Sequence, residues 1–223
     1  MTNNLPLHFR DGHLFVELNG DLWLLDTGAP TSFGVSRNFS FAGERFSIGT
    51  SYVGLTAAKL SQFVGVPCVG LLGADVLGRF DHILDTAAGR LVVSTEELTH
   101  GGQGVELDDF MGIPIVTVRI GGSDYRMFFD TGAQISYFQD DSLIGFPPAG
   151  SVTDFYPGVG QFQTDTHEVP IYLGGIEFNL RCGKLPDLLG MTLMMAGTTG
   201  IVSNAILSNR IVGYFPRRRM VFL

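Results

Sequence analysis

Cysteine is scarce in this chain. Cys68 and Cys182 are the only two in 223 residues, too few for the disulfide-dense scaffold of a small secreted domain. They are either free thiols or one bridge, and free thiols are the favoured reading. Positive charge is also in deficit: 14 Lys and Arg stand against 22 Asp and Glu, for a formal charge of −8 and a pI of about 4.9. That balance argues against nucleic acid or an anionic membrane surface as the main partner. No apolar run reaches the roughly 18 residues of a membrane-crossing helix. The opening Met1-Thr2-Asn3-Asn4-Leu5-Pro6 lacks the basic and apolar regions of a secretory signal, so a cytoplasmic location is expected. With 45% hydrophobic and only 16% charged residues, the composition is not that of a disordered chain.

What is abundant is punctuation. Thirty Gly and ten Pro are spread along the whole length among eighteen Phe and many Val and Ile, a composition of short strands and frequent turns that predicts an all-β fold.

The chain repeats itself. Val16-Glu17-Leu18-Asn19-Gly20-Asp21, followed by Leu22-Trp23-Leu24-Leu25-Asp26-Thr27-Gly28-Ala29, is matched by Val118-Arg119-Ile120-Gly121-Gly122-Ser123, followed by Tyr125-Arg126-Met127-Phe128-Phe129-Asp130-Thr131-Gly132-Ala133. Each copy leads to an apolar pair before a small residue, Leu71-Leu72-Gly73 and Ile201-Val202-Ser203, then to a short helix expected over 74–80 or 204–210, then to a closing strand. The Gly-rich stretch between Ser94 and Asp109 divides the copies, which predicts two lobes of similar design, residues 1–97 and 98–223, each carrying one Asp-Thr-Gly.

A single Asp-Thr-Gly is ordinary turn composition. Two copies at the same place in a repeat, each at the end of an apolar strand, point to chemistry. Buried strands would deliver Asp26 and Asp130 to one interface, where two carboxyls placed together share a proton and supply a base and an acid at once. Gly28 and Gly132 permit the sharp turn and a close backbone approach. Thr27 and Thr131 bring hydroxyls able both to donate and to accept.

The segments Leu-Leu-Asp-Thr-Gly-Ala-Pro-Thr-Ser at 24–32 and Phe-Phe-Asp-Thr-Gly-Ala-Gln-Ile-Ser at 128–136 resemble the pepsin and retropepsin superfamily of aspartic peptidases, and Leu71-Leu72-Gly73 resembles its second signature. Ala29 and Ala133 after the motif look more like retropepsins than pepsins, so the chain resembles a fused retropepsin dimer. The resemblance implies a bilobal acid-protease-like β-barrel fold with a cleft between two pseudo-symmetric lobes, a polypeptide substrate bound extended, no metal or organic cofactor, and a reciprocal hydrogen-bond grip between Thr27 and Thr131. Both lobes lie in one chain, so a monomer is expected to suffice. With Ala supplying no hydroxyl where pepsins place one, the dyad is expected to work in mildly acidic solution. Ser203 departs from the pattern, and a side chain at that tight approach is expected to push the strand slightly away.

The second copy has the longer middle section. Asp154 to Gln163, running on through Val169 to Gly175, reads as a hairpin lid with Tyr156, Gly158, Val159 and Gly160 at its tip. The first copy shows no room for a full hairpin before Phe46-Ser47-Ile48-Gly49, so a single flap is expected. Other signals point to structure. His8, His13, His82, His100 and His167 lack zinc-ligand spacing and are expected on the surface or in turns; Ser32 and Ser136 should bond nearby backbone. Asp108-Asp109 and Asp140-Asp141 should be solvated, Met191 to Met195 should fill core, and Arg217 to Arg219 should mark an exposed strand end. An aspartic endopeptidase is the leading expectation; the alternatives are a catalytically silent peptide-binding module and a regulatory interaction partner on the same fold.

Overall fold

The computed structural model of the chain describes residues 2–156, 159–186 and 193–223. It is mostly β, as the composition predicts. The first repeat opens with β1 (Thr2–Arg10), β2 (His13–Leu18) and β3 (Asp21–Leu25), joined by the two-residue turns Asp11-Gly12 and Asn19-Gly20. Both residues of each turn have positive φ, at 47° and 76° and at 55° and 89°, the turn type whose twist matches paired strands and that Asn-Gly and Asp-Gly favour. Next come β4 (Phe33–Gly34), the hairpin β5 (Asn38–Phe41) and β6 (Glu44–Ser47), the short pair β7 (Ser51–Tyr52) and β8 (Leu55–Thr56), and helix α1 (Ala57–Val64). The repeat closes with β9 (Gly70–Leu72), the single turn α2 (Ala74–Leu77), β10 (Asp81–Asp85) and β11 (Arg90–Ser94).

The second repeat runs through the same order. It comprises β12 (Gly104–Glu106), β13 (Asp108–Phe110), β14 (Ile113–Ile120), β15 (Ser123–Phe129) and β16 (Ser136–Phe138), then the long β17 (Pro148–Tyr156), β18 (Gly160–Leu173) and β19 (Ile176–Lys184). Then follow β20 (Gly200–Val202), a 3-10 turn over Asn204–Leu207 where two helical turns were expected, β21 (Ile211–Phe215) and β22 (Met220–Phe222). The middle sections differ: the second repeat builds three long paired strands where the first builds two small hairpins and a helix.

The repeats are joined by strand pairing. In the order β12-β22-β21-β10-β11-β1, three strands of one copy lie beside three of the other, and β10 pairs with β21 from His82↔Tyr214 to Asp85↔Ile211. The first strand divides its edges in the same way twice. Thr2 to Pro6 pair with β11 and Leu7 to Arg10 with β2, while β12 pairs with β22 and β13 with β14. A core from Leu14, Val16 and Leu72 to Val116, Val202 and Tyr214 fills the space between the copies. Smaller clusters belong to each repeat, Phe15, Leu24, Phe33, Leu60 and Leu71 in the first, Ile113, Ile115, Tyr137, Leu193 and Ile201 in the second.

Several expectations are corrected. The first repeat does hold a hairpin before Gly49: Phe39 of β5 stacks between Trp23 and Phe46 at 4.8 and 5.5 Å, and Phe41 is buried against Phe80. Helix α1 was not foreseen, although Thr56 caps it by accepting from Lys59 N at 3.4 Å, Leu60 and Val64 are buried one turn apart, and Gly65 ends it at φ 71°. His13 and His82 are buried, not on the surface. The acidic pairs are exposed, as expected, and in addition Asp108 pairs with Arg126, Asp109 with Arg219 and Asp141 with Lys184. Met194 and Met195 are exposed rather than core-filling, and Met191 lies outside the described residues. Cys68 and Cys182 are free thiols, both buried. No described helix is long and apolar enough to cross a membrane.

The basic run is the largest correction. Arg217 and Arg218 are not a free strand end; both reach Asp81, whose side chain is 0% exposed. The same guanidiniums donate to the carbonyls of Thr95, Glu96 and Leu98, and Leu98 N donates to Asp81 at 2.9 Å. A buried carboxylate of the first repeat thus ties down the connecting segment and the last turn of the second. Removing one partner of such a pair leaves an uncompensated charge. Asp81→Asn is therefore expected to destabilise the protein by ~3 kcal/mol in urea unfolding, and Arg217→Ala to cost less in that background than in the wild type.

His82 gives a pH-dependent term. Its Nε2 donates to Leu77 O at 2.8 Å, Tyr214 stacks on its ring at 5.7 Å, and burial lowers its pKa from 6.5 to about 4. The unfolded chain binds the extra proton between those values, so this residue's contribution is complete above pH 6.5 and is lost as pH falls toward 4, by about 3 kcal/mol at most. Subtracting the pH–stability curve of His82→Phe, which keeps the ring packing, from that of the wild type is expected to isolate this loss; superimposable curves refute it.

Candidate active site

Each aspartate stands at the end of a buried strand held by a parallel neighbour. β3 pairs with β9 and β15 with β20, and the register continues one step further: Asp26 N donates to Leu72 O at 3.0 Å and Asp130 N to Val202 O at 2.9 Å. The following threonines are buried and exchange hydrogen bonds across the interface. Thr27 N donates to Thr131 Oγ1 and Thr131 N to Thr27 Oγ1, both at 3.0 Å, while the hydroxyls donate to Phe129 O at 2.6 Å and Leu25 O at 2.8 Å.

The glycines work crosswise. A Cβ on Gly28 would lie 2.3 Å from the Asp130 carboxyl, and one on Gly132 would lie 2.5 Å from that of Asp26. Only a bare backbone lets each turn approach the other's carboxyl so closely. Ala29 N donates to Asp26 Oδ1 at 2.9 Å; Gly132 N and Ala133 N donate to Asp130 Oδ1 at 2.8 and 3.3 Å.

Asp26 and Asp130 hydrogen-bond to each other and both titrate above the usual carboxylate range. For Asp26, loss of water is the main cause, followed by the charge and hydrogen bond of Asp130, against the weaker pull of the Ala29 and Gly28 amides. For Asp130, loss of water raises it as well, but the bond from Asp26 and the amides of Gly132 and Ala133 oppose the rise, with Asp154 adding a further upward push. The pair therefore holds one proton between its two carboxyls more tightly than ordinary carboxylates do.

A second layer holds the turns. Ser32 Oγ donates to Asp75 at 2.6 Å and accepts from Gly73 N at 2.8 Å. In the other repeat Ser136 Oγ donates to Ser203 Oγ at 3.2 Å and accepts from Ser203 N at 3.1 Å. The corresponding backbone bonds are Ala74 N to Ala29 O at 2.8 Å and Asn204 N to Ala133 O at 3.1 Å. Two supports were not foreseen. Buried Asn204 donates from Nδ2 to Gly12 O and Thr131 O at 2.9 and 3.1 Å, and buried His13, its pKa lowered by burial, donates from Nδ1 to Gly132 O at 3.2 Å. Neither stands in a motif; strands from far along the chain bring them there.

The carboxyls open into a cavity of about 320 Å³. Leu24, Phe33, Leu60 and Leu71 line it from the first repeat, and Ile113, Tyr137, Phe162 and Ile201 from the second. The hairpin β17–β18 adds Asp154, Phe155 and Tyr156 to its wall. Tyr156 has its pKa pushed up to about 12 by burial and by the charges of Asp130 and Asp26. Val159 N donates to Tyr156 O at 3.1 Å and Gly160 starts β18 at φ 91°; Gly158 lies outside the described residues. Phe155 stacks on Phe63 of α1 at 4.7 Å, so the hairpin of the second repeat rests on the helix of the first. Tyr52, Val53 and Leu55 of the short β7–β8 turn also line the cavity, while the β5–β6 hairpin contributes no lining residue.

No protein-family model matches the chain and no curated protein is significantly similar to it in sequence.

The raised pKa values have a sign. The folded dyad binds protons more tightly than the unfolded chain, so its contribution is greatest below the ordinary carboxylate pKa and is lost as pH rises through the folded value. Asp26→Asn mimics the protonated partner without titrating. Its melting temperature is expected to match or exceed that of the wild type at neutral pH and to show a smaller advantage in mild acid; a fall at neutral pH alone contradicts the assignment.

Proposed function

We propose that the protein is an aspartic endopeptidase of bilobal acid-protease-like fold, resembling a single-chain retropepsin, that hydrolyses peptide bonds with a water activated between Asp26 and Asp130. One observation carries the reading: two Asp-Thr-Gly turns from separate repeats, exchanging threonine hydrogen bonds, face two mutually bonded carboxyls into one cavity. In this reading the shared proton sits on Asp26 as water attacks. The Asp130 carboxylate takes a proton from water as its oxygen attacks the scissile carbonyl carbon, and Asp26 gives its proton to the carbonyl oxygen. The proton gained by Asp130 then passes to the leaving nitrogen as the C–N bond breaks, while a hydroxyl of the diol returns its proton to Asp26 and leaves as part of the acid product, restoring the dyad. The β17–β18 hairpin would hold an extended polypeptide against the dyad and exclude bulk water. No resident metal or organic cofactor is needed for these steps.

The test is cleavage of a random peptide library. The wild type is expected to cut with a bell-shaped pH profile in mildly acidic solution, and Asp26→Asn and Asp130→Asn each to lower kcat by at least ~10³-fold while remaining folded. Since the pair acts as a unit, the double variant is expected to be no worse than either single one. Binding without cleavage would identify a silent peptide-binding module instead.

A further inference from the structure

The cavity holds a carboxylate that the dyad chemistry does not use. Asp154 of β17 lies in its wall, accepting from Phe155 N at 2.7 Å and from the Tyr137 hydroxyl. Both donors are neutral, and among the described residues no Lys or Arg forms an ion pair with it. Each carboxylate oxygen keeps a second acceptor position. The other charged residues of the described lining are Asp26 and Asp130, with no Lys or Arg among them. Asp154's charge acts on Asp130, Tyr137 and His13, which places it within electrostatic reach of the proposed reaction centre.

Around this charge the wall is apolar, formed by Tyr137, Phe162, Leu185 and Ile201. Phe162 and Leu185 also line a neighbouring groove of about 570 Å³ whose charged residues are Asp140, Asp141 and Asp165 against Lys184. The groove beside the cavity is therefore acidic as well.

We propose that Asp154 is a specificity-determining residue that selects polypeptides carrying Lys or Arg beside the scissile bond; the inference rests on the peptidase reading. The aliphatic stem of a basic side chain packs on the apolar wall while its head group reaches the carboxylate. An acidic side chain meets like charge there, and a neutral one leaves Asp154 without a counter-charge. A purely structural Asp154 would serve only to fix Tyr137, a bond that an Asn side-chain oxygen can also accept.

A positional-scanning library locates the position beside the cut at which Lys or Arg is favoured. Two peptides differing only there, Lys against norleucine, then give a ratio of kcat/KM for the wild type and for Asp154→Asn. The wild-type ratio is expected to favour Lys, and Asp154→Asn to lower it by ~10-fold or more, as loss of a charge-assisted hydrogen bond implies. Cleavage without a basic preference, or a preference that survives in Asp154→Asn, overturns the proposal and leaves the peptidase reading standing. If no peptide is cut, the peptidase reading fails and binding decides the rest. Lys-containing peptides that bind Asp26→Asn more tightly than norleucine ones, with the difference lost in the Asp26→Asn, Asp154→Asn protein, support cation recognition by Asp154; equal binding overturns it.

Discussion

The structure turns on the exchange between Thr27 and Thr131. Each hydroxyl accepts the other residue's backbone N-H and donates to a carbonyl at the end of the other repeat's strand. All of these groups are buried, and a buried N-H or hydroxyl without a partner costs roughly 1–3 kcal/mol. Either turn alone would leave its polar groups unpaired, so each is satisfied only in the presence of the other. Bringing Asp26 and Asp130 together is thus a by-product of hydrogen-bond satisfaction, and the like-charge and desolvation costs of the dyad are met by the same network that fixes it.

The two halves have become unequal around this symmetric centre. The long hairpin belongs to the second repeat, while the first presents a helix on which Phe155 rests. Asp154, on that long hairpin, acts on Asp130. These differences give the two carboxyls unlike surroundings.

The repeat, the all-β class and the placement of both aspartates were legible in the sequence because strand alternation, turn residues and the Asp-Thr-Gly spacing are local features. So was the extra hairpin, from length and from its glycine-flanked tip. Helix α1 was missed because only Leu60 and Val64 mark its apolar face against a short, Ser- and Lys-containing surface. The role of Arg217 and Arg218 was out of reach in principle. Their partner Asp81 lies 136 and 137 positions earlier, and nothing local separates a guanidinium that neutralises a buried carboxylate from one in water. His13, Asn204 and Asp154 escaped notice for the same reason.

The sheet joining the repeats has a kinetic consequence. β22 lies between β12 and β21, and β21 is what β10 of the first repeat pairs with. During synthesis the first repeat therefore emerges with β10 as an open edge, and Thr27 lacks its counterpart until more than a hundred further residues have followed. Such distant pairings close slowly, because loop entropy is lost before contacts compensate it. A nascent chain ending before Thr131 would carry Asp26 in an unpaired turn, so the two carboxyls meet only once the second repeat is under way.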